Sequence, residues 1–186
     1  MLEFDGRTVM INLLFYVPLF SYEVKEWDRK KKALLSRINR NKFDYYGLND
    51  FQTDRHSKKN RYSLDFESIF SEELEEFKKE ADLEYLRVMD IWTLKYTKKT
   101  ENHCPHNHRS IGYTGLMYLE YDDKVHEPTK FIGPWNDPVS DTTNIATIPN
   151  PREGVMYIWP SVLVHYADGM KTNKLRMITS WDMEVR

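Results

Sequence analysis

The second half of the chain consists of short runs in which large side chains recur at every second position, and this pattern restricts the possible folds most. In residues 90–97, DIWTLKYT, the side chains of Trp92, Leu94 and Tyr96 share one face, as in a half-buried strand. Five further runs follow, separated by Gly, Pro, Asn and Asp, at residues 112–122, 129–134, 154–160, 161–167 and 174–183. Short strands at this spacing predict an antiparallel sandwich or barrel.

The first half contains two stretches with helical periodicity. In residues 22–39, Trp27 and Leu34 belong to a set of apolar side chains that can share one helical face. A second helix is predicted to begin near Ser71, a plausible N-cap that is followed by acidic residues in the first turn. Both helices are expected to pack on the outside of the strands.

The chain is expected to form one domain over residues 1–186, because no internal repeat or linker divides it. A helix-rich supporting region at 1–89 then packs against a β-core at 90–186, which is an α+β arrangement. The most apolar stretch, residues 8–20, is too short to span a bilayer. We interpret it as one or two buried strands interrupted at Pro18.

Charge and cysteine content narrow the functional classes. The formal net charge is −2, so the chain lacks the basic excess of nucleic-acid-binding proteins. The single cysteine cannot form an internal disulfide, so nothing requires an oxidising compartment. We therefore predict a soluble, cytoplasmic protein that does not act at a membrane.

Three of the six histidines lie in HCPHNHRS, residues 103–110. If this segment is extended, His106 and His108 point to the same face, where they can bind one divalent transition metal ion. The alternative is a polar loop whose histidines cap backbone groups or lie in solvent. His103 is interpreted as a residue at the start of the strand or at its rim. Cys104 is assigned no chemistry, because a zinc site would need a second ligand pair.

A third histidine and an arginine extend this cluster. His165 is the one imidazole in the apolar run WPSVLVHYADG, where a satisfied core histidine is the alternative to a metal ligand. A hairpin centred near Met170 and Lys171 would place His165 opposite Arg176. A guanidinium in a β-core is costly to bury unless it meets an anion, and its shape suits a carboxylate. The alternative for Arg176 is an exposed position on an edge strand.

These motifs resemble the iron(II)/2-oxoglutarate-dependent oxygenases, whose fold is a double-stranded β-helix of the jelly-roll, cupin-like type. They are most similar to a branch common in marine phages and bacteria, in which HxH is followed by Ser/Thr-Gly, an aromatic-Leu strand and a P-S-x-L-x-H…R-x-x-x-S ending. The matching residues are His106, His108, Thr114, Gly115, Tyr118, Leu119, Gly154, Pro160, Ser161, Leu163, His165, Arg176 and Ser180. The resemblance covers about residues 90–183 and is more specific for the fold than for a substrate.

The resemblance implies that His106, His108 and His165 bind iron(II). Most of the superfamily has a carboxylate where this chain has His108, so a set of three histidines would be neutral in place of the usual anionic set. Alternatively, His108 lies beside the metal, and a carboxylate from elsewhere, such as Glu120 or Asp182, completes the set.

For the organic acid, the resemblance implies 2-oxoglutarate. Its distal carboxylate would meet Arg176, near the hydroxyls of Tyr118 and Ser180. With O2, the cosubstrate would be converted to succinate while a prime substrate, whose class the resemblance leaves open, is oxidised, by default to an alcohol. The resemblance also implies a cytoplasmic location, in the host cell if the gene is carried by a phage.

Two other functions stay open at this point. A cupin-type dioxygenase with three histidine ligands would bind its organic substrate directly and need no cosubstrate. A non-catalytic β-helix binding module would hold a metal only structurally, or would hold none.

Overall fold

The computed structural model describes residues 2–4, 7–9, 17–46, 51–57, 62–108 and 112–186. The helices in these ranges are α1 (Trp27–Ile38), α2 (Ser63–Ile69) and α3 (Ser71–Glu80). The strands in the same ranges are β1 (Leu2–Phe4), β2 (Arg7–Val9), β3 (Phe20–Glu23), β4 (Asp44–Tyr46), β5 (Phe51–Thr53), β6 (Leu86–Tyr96), β7 (Asn102–His106), β8 (Tyr113–Glu120), β9 (Lys130–Asn136), β10 (Thr143–Thr147), β11 (Val155–Pro160), β12 (His165–Asp168) and β13 (Arg176–Val185). No described helix combines the length and the apolar character that crossing a membrane requires.

Two antiparallel sheets face each other and form a jelly roll. In the described part of the chain, the larger sheet has the strand order β3-β11-β8-β13-β6-β5-β4, and the smaller has the order β10-β9-β12-β7. Phe131 of β9 and Ala167 of β12 pack in one cluster with Leu94, Tyr118 and Trp159 of the larger sheet. Strands β1 and β2 pair with each other. This architecture confirms the predicted α+β fold with a double-stranded β-helix core.

Side-chain alternation gives the larger sheet two different faces. On β13, the side chains of Met177, Trp181 and Met183 belong to a core shared with the helices, which includes Phe66 of α2 and Phe77 of α3. The intervening side chains of β13 point the other way, toward the smaller sheet. The helices therefore cover the outside of the larger sheet, and the space inside the jelly roll is left for the predicted site residues.

The two predicted helices are present, but α1 begins later than periodicity suggests and α3 follows directly after a helix that the sequence does not reveal. α3 starts at Ser71 as predicted, but Ser71 is its first residue and Phe70 takes the capping position. The helix expected from residue 22 begins only at Trp27, because Tyr22 pairs with Met156 as part of β3. Sheet pairing thus overrides the helical pattern at this point. The sequence patterns do not reveal α2, β4, β5 or β10.

The apolar stretch at residues 8–20 is described only in part. β2 ends at Val9 and β3 begins at Phe20, while residues 10–16 lie outside the described residues. The predicted interruption at Pro18 falls just before β3, which is consistent with a strand that begins after the proline.

The predicted hairpin between His165 and Arg176 is wrong. β12 pairs with β7 and β9 of the smaller sheet, whereas β13 pairs with β6 and β8 of the larger one. After β12 the chain is held against the turn that precedes β7: the backbone N–H of Met170 donates to the carbonyl of Thr100 at 2.9 Å, and the backbone of this turn leaves no room for a side chain at Gly169. This contact directs the chain from one sheet to the other in place of a tight reversal.

A buried ion pair joins α1 to α3. The Nζ of Lys30 lies 2.8 Å from Oε1 and 2.9 Å from Oε2 of Glu73, and the two side chains are only 4% and 3% exposed. Glu73 also accepts a hydrogen bond from the backbone N–H of Lys25 at 3.1 Å. Removal of one charge leaves the other buried without its partner, which costs far more than loss of a surface pair.

We predict that Glu73→Gln lowers the free energy of unfolding by roughly 3–5 kcal/mol. The neighbouring Glu72→Gln is the matched control, because Glu72 pairs with Lys25 at 3.8 Å across exposed side chains. We expect the control to change stability by less than about 1 kcal/mol. Urea denaturation of both variants measures the difference, and equal effects would contradict a buried pair.

Candidate metal centre

Three imidazoles converge between the two sheets. His106, at the end of β7, lies directly opposite His165, at the start of β12, and His108 follows two residues later. The ring centroids of His106 and His165 are 4.5 Å apart, those of His108 and His165 are 4.9 Å apart, and those of His106 and His108 are 5.3 Å apart. One potential ligand nitrogen of each ring lies within 4.8 Å of the other two. These three residues could therefore hold one metal ion.

The hydrogen bonds of the three rings leave the same nitrogen available in each. The Nδ1 atoms of His106 and His165 donate to the backbone carbonyls two residues earlier, at 2.8 and 3.1 Å. The Nδ1 of His108 donates to a carboxylate oxygen of Asp182 at 2.6 Å. Carbonyl and carboxylate groups only accept hydrogen bonds, so each neutral ring keeps its proton on Nδ1 and its lone pair on Nε2. An imidazole oriented by an acceptor at Nδ1 is the usual form of a metal-binding histidine.

Burial favours the neutral form of His106 and His165. Desolvation, assisted by the neighbouring imidazoles His106 and His108, lowers the pKa of His165 to about 3. Desolvation also lowers the pKa of His106, against the opposing effect of its hydrogen bond to the carbonyl of Cys104. A metal ion binds the neutral imidazole, so no proton has to be displaced at neutral pH from these two rings.

The carboxylate of Asp182 contacts the cluster and lies behind His108. Besides the bond to His108, its Oδ1 accepts a hydrogen bond from Thr114 at 3.0 Å, and Thr114 is 3.0 Å from the hydroxyl of Ser161. Burial alone raises the pKa of Asp182, but the hydrogen bonds from His108 and Thr114 outweigh it, so the pKa lies below its ordinary value. Within the described ranges, the group of side chains that could hold an ion consists of the three histidines and does not include Asp182.

Glu120, the other carboxylate considered as a ligand, lies far from the imidazoles. It ends β8, whereas Thr114, near the start of the strand, contacts His108. Six residues of strand separate the two by about 20 Å. Glu120 instead lies 3.3 Å from the Nζ of Lys31 on α1, with almost half of its side chain exposed.

A cavity of ≈ 220 Å³ opens beside the triad. Beyond the three histidines, its lining includes Arg55, Trp92, Tyr96, His103, Thr129 and Ser180. Trp92 lies beside His108, with ring centroids 5.2 Å apart, and Arg55 stacks on Trp92 at 4.2 Å. Ser180 contributes its side chain to the wall, but its hydroxyl donates to the carbonyl of Gly115 at 2.9 Å.

Arg176 is buried against two of the aromatic rings that surround this space. Its guanidinium lies 4.6 Å from the ring of Tyr96 and 5.5 Å from that of Tyr118, and its Nη2 donates to the hydroxyl of Thr129 at 3.2 Å. The side chain is almost fully buried, yet its Nε has no hydrogen-bond partner. No carboxylate among the described residues forms an ion pair with it. A buried cation with an unpaired donor is unfavourable unless a bound anion completes its interactions.

Tyr118 is positioned beside Arg176 by its own hydrogen bonds. Its hydroxyl donates to the hydroxyl of Thr129 at 3.3 Å and accepts a hydrogen bond from the backbone N–H of Thr129 at 3.0 Å. The ring is fully buried between the sheets. Tyr118 therefore fixes the threonine that Arg176 contacts, and its hydroxyl points to the same end of the inter-sheet space.

His103 lies at the start of β7, one of the two expected positions, but sequence periodicity does not reveal that its ring lines the cavity. His106 lies opposite His165, and His103 lies opposite Ala167. Between these two pairs, two residues of β7 lie opposite one residue of β12, which is a β-bulge. The bulge turns His103 to the face of His106, and the two rings stack at 4.4 Å. The only signal for it in the sequence is Pro105, since proline within a strand is typical of bulges and edges.

The ring of His103 connects the triad to the surroundings of Arg176. Its Nδ1 is 3.0 Å from the hydroxyl of Tyr96, which stacks on Arg176. Burial raises the pKa of Tyr96 to about 12, against the opposing charge of Arg176, so the phenol keeps its proton. Burial and the neighbouring imidazoles lower the pKa of His103 to about 2. His103 therefore adds a fourth imidazole to this side of the cavity.

Comparisons with known proteins identify the fold. No protein-family model matches the sequence, and no curated protein matches it. Among solved structures, a 2OG-Fe(II) oxygenase-family oxidoreductase from Burkholderia pseudomallei is 9% identical with a TM-score of 0.61, over 81% of this chain and 76% of that one. HygX from Streptomyces hygroscopicus, solved with nickel, 2-oxoglutarate and hygromycin B bound, is 12% identical with a TM-score of 0.59, over 90% and 82%.

A third similar structure is a prolyl hydroxylase from Trichoplax adhaerens, solved in complex with a peptide of the hypoxia inducible factor oxygen degradation domain. It is 11% identical with a TM-score of 0.58, over 88% of this chain and 82% of that one. Identities this low establish the architecture and no activity. The chain thus has the double-stranded β-helix fold of the 2-oxoglutarate- and iron(II)-dependent oxygenases.

Proposed function

We propose that this chain is a non-haem iron(II)- and 2-oxoglutarate-dependent oxygenase, with hydroxylation as its default reaction. One observation supports this most directly: the space between the sheets contains three imidazoles with available Nε2 atoms together with a buried arginine whose Nε is unpaired. The first feature suits a transition metal and the second an organic acid. The fold shared with oxygenases solved with metal and 2-oxoglutarate bound agrees with this combination.

His106, His108 and His165 are the proposed iron ligands. Imidazole nitrogen is a suitable donor for iron(II), and the three rings leave the cavity side of the site open for other ligands. When bound, iron and 2-oxoglutarate supply the oxidising power: O2 and 2-oxoglutarate are converted to succinate and CO2 as one oxygen atom enters a C–H bond of the substrate. The residues of this chain hold, orient and enclose these components.

Arg176 is the proposed partner of the distal carboxylate of 2-oxoglutarate, with Tyr118 beside it. The guanidinium is held from two sides by Tyr96 and Tyr118, so its direction is set before any anion binds. Ser180 would have to release the carbonyl of Gly115 to donate to the same carboxylate. The hydroxyl of Tyr118 would likewise have to release that of Thr129, so we propose both hydroxyls as candidate partners of the carboxylate.

The opposite end of the cavity is proposed as the place of the prime substrate. Trp92 and Tyr96 lie on the same face of β6, four residues apart, which separates them by about 13 Å. Tyr96 contacts Arg176, whereas Trp92 lies beside His108 and carries the exposed Arg55 on its ring. A cosubstrate that extends from the triad toward Tyr96 would leave the Trp92 end free for the group that is oxidised.

The three-histidine donor set also supports a second candidate, a cupin-type dioxygenase that binds its organic substrate directly. Such an enzyme needs no cosubstrate, so the buried Arg176 would have no part in turnover. The two candidates differ in the product formed without added substrate. The oxygenase releases succinate slowly from 2-oxoglutarate in air, and the cupin-type enzyme does not.

We predict that His165→Ala abolishes stoichiometric metal binding. Loss of an outer-shell partner alone typically weakens a metal site by about 10–100-fold, so loss of a ligand is expected to exceed this. Titration of the apoprotein with iron(II) or cobalt(II) under argon measures the affinity. His56→Ala is the control, because His56 lies on an exposed loop outside the cavity lining. Retention of full affinity in His165→Ala would contradict the proposed ligand set.

We predict that Arg176→Gln weakens 2-oxoglutarate binding by about 2–5 kcal/mol, or at least about 30-fold, because the carboxylate loses its charged partner. Anaerobic titration of the iron(II) protein with 2-oxoglutarate, followed through its weak visible charge-transfer absorption, measures the constant. Arg87→Gln is the matched control on an exposed position of β6. No absorption band in the metal-loaded protein would argue against the oxygenase.

Succinate release separates the candidate functions. We predict that the iron(II) protein consumes 2-oxoglutarate and O2 in air and forms succinate, and that Arg176→Ala loses this reaction because it no longer holds the cosubstrate. A cupin-type enzyme would keep its metal-dependent oxygen consumption in Arg176→Ala. A binding module would consume no oxygen with any cosubstrate.

A further inference from the structure

Among the described residues, the proposed metal centre has no carboxylate ligand, although a carboxylate lies directly behind one of the three imidazoles. Asp182 Oδ1 is 2.6 Å from the Nδ1 of His108, and each side chain is 5% exposed. The Nε2 of the same ring is the atom left for a metal. The imidazole of His108 thus lies between the carboxylate of Asp182 and the ion site.

We propose that Asp182 is a positioning residue that supplies, through the ring of His108, the negative charge that this site lacks among its ligands. This inference rests on the proposed metal function of the triad, but it does not depend on the cosubstrate or on the reaction. Asp182 fixes the Nδ1–H tautomer of His108, orients the ring and makes its Nε2 a stronger donor. The pair then acts toward an ion as one anionic ligand.

The surroundings of Asp182 support a charged role over a merely structural one. Its Oδ1 accepts from both His108 and Thr114, and Thr114 is held in turn by Ser161. No lysine or arginine forms an ion pair with Asp182 among the described residues. A buried carboxylate held only by an imidazole and a hydroxyl is more favourable when a positive charge lies close to it. An ion on the far side of His108 would provide that charge.

Among the described residues, Arg55 is a cation that approaches this region, and it does not replace the ion. Its guanidinium stacks on Trp92 at 4.2 Å and lies 3.8 Å from a carboxylate oxygen of Asp90. The side chain is 42% exposed, so solvent screens its effect on a buried group. The charge of Asp182 therefore acts mainly on the imidazole of His108 and on the ion that this imidazole would bind.

The position of Asp182 on β13 explains why it is not a direct ligand. Its Cα lies opposite that of Thr114 on β8, within the larger sheet. His106 and His165, by contrast, belong to β7 and β12 of the smaller sheet. The ring of His108 lies between Asp182 and those two residues and bridges the two sheets. Asp182, in the opposite wall, thus acts on the ion site through the imidazole and not by direct contact.

Asp182→Asn tests the inference, because the amide keeps the shape and an acceptor oxygen but removes the charge. We expect cobalt(II) affinity to fall by about 10–100-fold and the visible ligand-field bands of the cobalt protein to shift. Asp90→Asn is the matched control. Asp90 lies on β6, where its Cα pairs with the Cα of Asp182 on β13. Its side chain lies beside Arg55 and not beside His108. An affinity of Asp182→Asn within about twofold of the wild type would overturn the proposal.

Nitrogen-detected NMR of the histidines in the metal-free wild type gives a second test that needs no variant. We expect His108 as the Nδ1–H tautomer with a strongly downfield ring proton, which moves upfield in Asp182→Asn. A His108 found as the Nε2–H tautomer would overturn the proposal. If the wild type binds cobalt(II) with the expected dependence on Asp182 but shows no 2-oxoglutarate binding, the oxygenase function fails and the role of Asp182 stands.

Discussion

The direction of side chains along β13 is the constraint on which the whole site depends. This strand is paired on both sides, with β6 and β8, and its first eight residues are buried. Arg176, Ser180 and Asp182 are separated by even numbers and face the space between the sheets, whereas Trp181 faces the helices. A shift of one residue in the pairing register of β13 would turn both charged side chains into the apolar core, at a cost of several kcal/mol for each. The apolar partners of Trp181 oppose such a slip.

Two buried charges on this strand are too far apart to neutralise each other. Arg176 and Asp182 are six residues apart, which corresponds to about 20 Å along a strand. The cation is surrounded by a pair of tyrosines and a threonine, and the anion by an imidazole and a threonine. These two charges therefore lie at opposite ends of the buried face of β13. A metal near the carboxylate and an organic anion near the guanidinium would complement both charges.

Local departures from regular structure assemble the rest of the site. The bulge in β7 turns His103 into the cavity, so the triad is joined to Tyr96 and through it to Arg176. The close contact at Gly169 sends the chain from the smaller to the larger sheet, and this places His165 and Arg176 in opposite walls. Irregularities of this kind concentrate at functional sites because regular pairing alone does not aim side chains at a common point.

The sequence by itself determined the fold class, most strands of the second half, and the candidate residues, because alternation and residue chemistry are local properties. His106 and His108 share a face by spacing alone, and the cost of a buried guanidinium draws attention to Arg176 at once. Only the tertiary structure decided which strands pair, so the expected hairpin is absent and His103 joins the cavity. It also decided the place of Asp182, because whether a carboxylate binds an ion directly or through an imidazole depends on which wall of the jelly roll holds it, and residue spacing contains no information about that.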